Sequence, residues 1–206
     1  MAIFSYVVRY DFGFAPNPFH GTCTLATCKQ QIRAAARMGD WVMGTGSQEK
    51  GLAGRLVYVM QVDEILTFDQ YWADARFRAK VPRTNGALKH VYGDNIYHRE
   101  QGRWTQADSR HSLPDGTANP GHVQTDTSAD AVLVSATYSY YGGAGPLVPP
   151  DLRAGYPIDL VHSHQGHRRH FPPDLVLAAE QWFRSLDAGV LGRPADWPPR
   201  PVAPPP

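Results

Sequence analysis

Residues 40–66, DWVMGTGSQEKGLAGRLVYVMQVDEIL, decide the fold. Trp41, Val42 and Met43, and then Leu56 to Met60, are apolar and rich in β-branched or aromatic side chains. The pattern predicts strands over residues 40–44 and 55–66, joined by a glycine-bearing loop. Upstream, residues 3–10 predict another strand. Residues 24–38 read as a helix, with Leu25, Cys28, Ile32, Ala35 and Ala36 on one side and Gly39 as its C-terminal cap. Downstream, Thr67 and Gln70 have capping-box spacing and open a short helix carrying Phe68, Tyr71 and Trp72. Short strands follow over 89–98 and 102–106, and a strong one over 131–141. Asp174 is expected to cap a last helix whose Leu175, Ala179, Trp182, Phe183 and Leu186 face the core. About three helices cannot cover both faces of a large parallel sheet. The expected fold is therefore α+β: a small mixed β-barrel or strongly bent sheet, with helices plugging its ends.

The 206 residues suit one domain. Residues 1–190 are expected to be globular. Residues 191–206 form an expected proline-rich disordered tail, because PPRPVAPPP carries six prolines. Residues 109–130, rich in Ser, Thr, Asp, Gly and Pro, read as a long loop, and loops of that length inside a domain are often functional. Twenty basic against nineteen acidic residues give a net charge of +1, so any polyanionic partner must be held by a local patch. Two cysteines exclude a disulfide scaffold. No window approaches the ~18 apolar residues of a membrane helix, and no leader is evident, so a cytoplasmic location without membrane partners is expected. No cofactor and no metal is expected.

Several groups can carry chemistry. Cys23, placed at the start of the predicted helix, is the candidate nucleophile, while the plain reading of both Cys23 and Cys28 is a small buried apolar residue. Lys29, Arg33 and Arg37 fall at i, i+4 spacing and form a basic stripe suited to phosphate. Thr45 and Ser47 lie in a turn directly after a strand, where phosphate can be cradled, though no Walker loop is completed. His162, His164, His167 and His170 cluster, but Arg168 and Arg169 among them suit an anion better than a cation. Tyr138 and Tyr140 share a strand face on which a base can stack. Asp94 and Asn95 are polar residues within an apolar run and can read a base edge.

The blocks RYDFGFAPNPFHGTCTLATCKQQIRAAARMGDWVMGTGS, LVYVMQVDEILTFDQYW, GDNIYH, VLVSATYSYYGG and QGHR occur in this order. Together, over residues 3–185, the chain resembles the nucleotide modification associated domain 2 family. The segment GDWVMGTGS with its following strand is also similar to EVE and PUA-like barrels, which hold a base beside such a turn. The first resemblance implies a context of DNA or nucleotide modification. Arg9, Asp11, Asn17, Cys23 and Lys29 match the polar pattern of its first block. The expected function is binding of a nucleotide or modified base within a modification or defence system. Its contacts would come from Arg9, Asp11, Asn17, Lys29, Arg33, Thr45, Ser47, Asn95, Tyr140 and Arg168. The alternative is an enzyme acting on a nucleotide or base, with Cys23 as nucleophile and His167 or Asp94 as acid–base group. Partners would be a nucleotide or nucleic acid and proteins of a modification system; a third reading is an interaction protein whose proline tail is a partner's ligand.

Overall fold

The computed structural model describes residues 1–199. The chain opens with β1 (Ile3–Val8), β2 (Cys23–Leu25), α1 (Gln30–Ala35) and β3 (Trp41–Gly46). Then come β4 (Leu56–Gln61), β5 (Glu64–Leu66), α2 (Phe68–Ala73), α3 (Leu88–Val91), β6 (Tyr97–Glu100) and β7 (Arg103–Gln106). The last part holds α4 (Pro120–Thr127), β8 (Val132–Ser135), β9 (Tyr138–Gly142), α5 (Pro150–Ala154), β10 (His167–Arg168), α6 (Pro173–Arg184) and β11 (Gly189–Arg193). Two 3-10 turns, Gln48–Lys50 and Ala75–Lys80, complete the described elements.

The main sheet has six strands in the order β10-β1-β3-β4-β9-β11. β1 runs parallel to β3 in a register that sets Ile3 opposite Trp41 and Val8 opposite Gly46. β9 and β11 are also parallel, and the remaining pairs in this sheet are antiparallel. Smaller sheets, β2-β8-β5 and β6-β7, lie beside it. The expected barrel does not form: β10 and β11 are free edges of an open sheet that is not strongly curled. The EVE- and PUA-like architecture is therefore corrected to an open mixed α+β arrangement, with six α-helices among the described residues rather than about three.

The reason lies in the quoted stretch. β3 is buried along its whole length and β4 along all but its last residue. Strands that read as unbroken apolar runs need cover on both faces. One face, with Phe4, Tyr6, Val42 and Met60, packs on Ile32 of α1 and Leu133 of β8. The other, with Ile3, Trp41 and Met43, packs on Leu175, Ala179 and Phe183, one stripe of α6 at i, i+4, i+8 spacing.

Other elements differ locally. The helix expected over 24–38 shrinks to α1, because residues 23–25 pair with β8 and Cys28 and Lys29 take left-handed φ values of 55° and 44°. Strand pairing here outweighs helical spacing. The capping box of α2 forms: Thr67 Oγ1 accepts from the Gln70 amide at 3.2 Å and Gln70 Oε1 from the Thr67 amide at 2.8 Å. Asp174 lies in the first turn of α6, and Pro172 is the cap. Residues 88–91 are helical, and the strand there begins only at Tyr97. Residues 191–199, expected within the tail, continue β11 and fold back: the Ala195 amide donates to Asp11 Oδ2 at 3.0 Å and Trp197 Nε1 to the Phe12 carbonyl at 2.8 Å. The rest of the proline run, and its expected role as a partner's ligand, lie outside the described residues. No helix among the described residues is long and apolar enough to cross a membrane.

Candidate functional site

The parallel strands β1 and β3 end side by side, and two adjoining cavities open there. One, of about 350 Å³, is lined by Tyr6, Phe12, Phe14, Cys28, Arg110 and His111. The other, of about 720 Å³, is lined by Thr45, Ser47, Arg153 and the segment from Val161 to Gly166. Val7, Arg9 and Lys29 belong to both walls.

Cys28 sits at the floor of the first cavity in a backbone conformation that only glycine adopts freely, and Lys29 shares it. Each such residue costs on the order of 1–3 kcal/mol and persists only where its surroundings over-determine it. Here they do. The Cys28 amide donates to Asp126 Oδ1 at 2.8 Å, and Arg33 Nε donates to the Cys28 carbonyl at 2.8 Å. Arg33, fully buried, also reaches the carbonyls of Asp126, Ala129 and Ala131 at 2.6–2.7 Å. It clamps the cysteine turn to the end of α4.

Cys28 Sγ is 3.6 Å from His111 Nε2, and His111 Nδ1 is 2.9 Å from Asp126 Oδ2. Tyr97 Oη donates to the same carboxylate oxygen at 2.9 Å. Phe14 meets the His111 ring edge-on and His122 stacks on it at 4.0 Å. Burial opposes a charge on His111, but hydrogen bonds to Asp126 and Cys28 outweigh it and push the imidazole up to about 9. Burial works against ionised Asp126 as well, yet His111 and Tyr97 hold it below the usual carboxylate range. His122 is lowered by burial and by the neighbouring His111. Cysteine, histidine and aspartate are thus joined in series by their contacts, as nucleophile, base and orienting group are in triads. The three ligand atoms also lie within 4.8 Å of one another, near enough to share a metal ion. Thiol and carboxylate, however, flank opposite ring nitrogens. Each has its own nitrogen, the connectivity of a proton relay.

A family model for nucleotide modification associated domain 2 matches residues 1–200. The chain belongs to this family. Comparisons with the curated proteins and with the solved structures return no match.

Of the residues read from sequence as the site of this Nmad2 domain, four meet at the two cavities: Arg9, Lys29, Thr45 and Ser47. The others stand elsewhere. Cys23 is fully buried in β2, and burial pushes its thiol up to about 12. Asp94, Asn95 and Asn17 are fully buried. Asp94 accepts from Thr24 Oγ1 at 2.6 Å and Tyr71 Oη at 2.8 Å. Asn95 donates to the Tyr71 carbonyl, and Asn17 accepts from the sealed ammonium of Lys80 at 2.9 Å. Tyr140 and Asp11 bond each other inside the core at 2.5 Å, so Tyr140 presents no stacking face. Arg33 is the clamp described above, so the basic stripe is not formed. His167 lies on edge strand β10 and Arg168 donates to the Asp159 carbonyl at 2.8 Å; neither lines a cavity.

Cys28, His111 and Asp126 were missed. The one sequence signal for them was the long polar segment over 109–130, which carries both His111 and Asp126.

Proposed function

We propose that this Nmad2 protein is an enzyme that performs covalent catalysis on a nucleotide carrying a modified or modifiable base. The single observation that carries the reading is the hydrogen-bonded series Cys28–His111–Asp126, whose cysteine and histidine line a cavity with Arg9, Lys29 and Arg110 in its wall. Family membership supplies the nucleotide context; the triad supplies the reaction class.

With the proton on His111, the sulfur faces a cation, the setting in which cysteine attacks as its thiolate. Cys28 Sγ adds to an electrophilic carbon of the base or its substituent. A C–S bond forms, and the departing amine or alkoxide takes its proton from His111 Nε2. Water, giving a proton back to His111, attacks the same carbon. The C–S bond breaks and the thiolate–imidazolium pair returns. The Cys28 amide is engaged by Asp126, so negative charge developing on the substrate falls to the cations of the wall, Lys29 and Arg110. A pure binding module would use the same cavities. What favours an enzyme is that two strained residues and a hydrogen-bonded relay converge on one thiol, which binding alone does not need. Nucleotides and proteins of a modification system are the partners this reading implies.

The test is alkylation of the folded protein by iodoacetamide at pH 7, with the modified residue located by mass spectrometry. Cys28 is expected to react and Cys23 to stay unmodified. His111→Ala should slow the Cys28 reaction by about 10-fold or more. Alkylation of Cys28 that is indifferent to His111 would sink the reading.

A further inference from the structure

The larger cavity has no part in the thiol chemistry, yet its wall is unusual. The Thr45 and Ser47 hydroxyls and His162 Nδ1, three of eleven such side-chain atoms, are buried without a hydrogen-bond partner among the described residues. Thr45 is 0 % exposed, Ser47 6 % and His162 9 %. Buried polar atoms are nearly always paired, so three orphans in one cavity wall point to a ligand that supplies the missing partners.

Charge gives the sign of that ligand. Three cations, Arg9, Lys29 and Arg153, line the cavity against one carboxylate, Glu49, which pairs with Arg9 at 3.2 Å. Arg153 pairs with Asp159 at 3.1 Å. Lys29 has no carboxylate or hydrogen-bond acceptor among the described residues. Its ammonium lies 4.5 Å over the Tyr6 ring, and burial lowers it from its ordinary range. A desolvated cation without a counter-ion favours an incoming anion. Lys29 also directly follows Cys28 in the chain and belongs to both cavity walls.

We propose that the larger cavity is a phosphate subsite, in which Lys29, Ser47 and Thr45 hold the phosphate of a mononucleotide whose base lies over Cys28. The inference rests on the nucleotide reading given above and names its substrate as the phosphorylated monomer. A polymer is disfavoured because the chain's net charge is only +1, too little for a general field that draws in a polyanion.

Calorimetric titration of the full chain with the four deoxynucleoside 5′-monophosphates, the matching nucleosides, inorganic phosphate and a short single-stranded oligonucleotide tests this. At least one monophosphate should bind about 10-fold or more tighter than its nucleoside. Ser47→Ala should erase most of that difference while leaving nucleoside affinity and the melting temperature in place, and Lys29→Gln should weaken the monophosphate by a larger factor than the nucleoside. Inorganic phosphate should compete with the monophosphate. Equal affinities for nucleoside and monophosphate overturn the proposal, as does insensitivity to Lys29→Gln. Tighter binding of the oligonucleotide, or no monophosphate binding below about 1 mM, overturns it too. Failure of the covalent reading is separate: it appears as His111-independent alkylation of Cys28 with these affinity differences intact.

Discussion

Two polar clusters in this molecule each set a cysteine beside an aspartate and a basic side chain. Cys28 lies with His111, Asp126 and Arg33; Cys23 lies near Lys80, Asp94 and Thr24. The second is sealed. Lys80 Nζ lies 2.9–3.0 Å from four oxygens, on Asn17, Thr22 and Thr24, and Asp94 takes hydrogen bonds from Thr24 and Tyr71. Its backbone is ordinary strand at Cys23 and Thr24. The first has two consecutive left-handed residues and a cavity against its sulfur. A cysteine beside a cation and a carboxylate is therefore no sign of chemistry by itself. Access and stored backbone strain separate a site from a structural knot.

The sharpest break between the two clusters is expected at the thiols. Cys28→Ser should remove iodoacetamide labelling of the folded protein and lower turnover on any substrate found by about 10⁴-fold. Cys23→Ser should leave the Cys28 labelling rate unchanged. Labelling of Cys23 at a similar rate in the native protein would erase the distinction.

The sealed cluster should answer in stability instead. Lys80→Met leaves Asp94 buried without its neighbouring positive charge and strips four oxygens of a donor. A loss of about 3–5 kcal/mol in urea unfolding is expected. Cys28 in the remaining folded fraction should alkylate at the wild-type rate. A wild-type midpoint would show that the knot is not structural.

Between these extremes stands Asp126, which serves both the relay and the fold. Asp126→Asn keeps a group that can accept from the Cys28 amide but loses the charge that orients and stabilises protonated His111. Turnover and the alkylation rate at pH 7 should fall by about 10²-fold. Unchanged rates would show that His111 acts without its partner.

The sequence carried parts of this picture and lacked others for identifiable reasons. The capping box at Thr67, the apolar stripe of Leu175, Ala179 and Phe183, and the strand at Ile3 depend on neighbours within a few residues, and they read directly. The open sheet was also legible in principle. WVM and LVYVM lack the alternation of a one-sided strand, and that pattern calls for cover on both faces. The triad was not legible, because 83 residues separate Cys28 from His111 and only tertiary structure joins them. Local reading favoured Cys23, since the helix was placed too early; once β2 claims residues 23–25, the cysteine left at the turn is Cys28. Thr45 and Ser47 follow from the turn after a strand, Arg9 from the family's first block and Lys29 from the basic stripe of the expected helix; the parallel pairing of β1 with β3 is what gathers Arg9, Thr45 and Ser47.

The smallest expected effect concerns pH and again divides the clusters. His111 faces Asp126, Cys28, His122 and, across the cavity, Lys29 and Arg110, with Tyr97 behind the carboxylate. Its folded value of about 9 lies above the ordinary 6.5. The folded state therefore binds this proton more tightly than the unfolded chain does. The resulting stabilisation is present in full below about pH 6.5 and is lost as pH rises through about 9. It should be on the order of 2 kcal/mol. Urea midpoints of the wild type should fall between pH 6.5 and 9.5, and His111→Gln should flatten that slope. The His111-dependent part of Cys28 alkylation should vanish over the same range, because the neutral imidazole no longer offers the sulfur a positive charge. A slope that persists in His111→Gln would assign it to another group. Lys80, lowered by burial to about 8, is the alternative in the sealed cluster, and its sign is opposite. Burial makes its proton cheaper to lose in the folded state, so its titration raises stability as pH climbs from about 8 toward 10.5. The direction of the slope therefore tells which cluster governs the alkaline response.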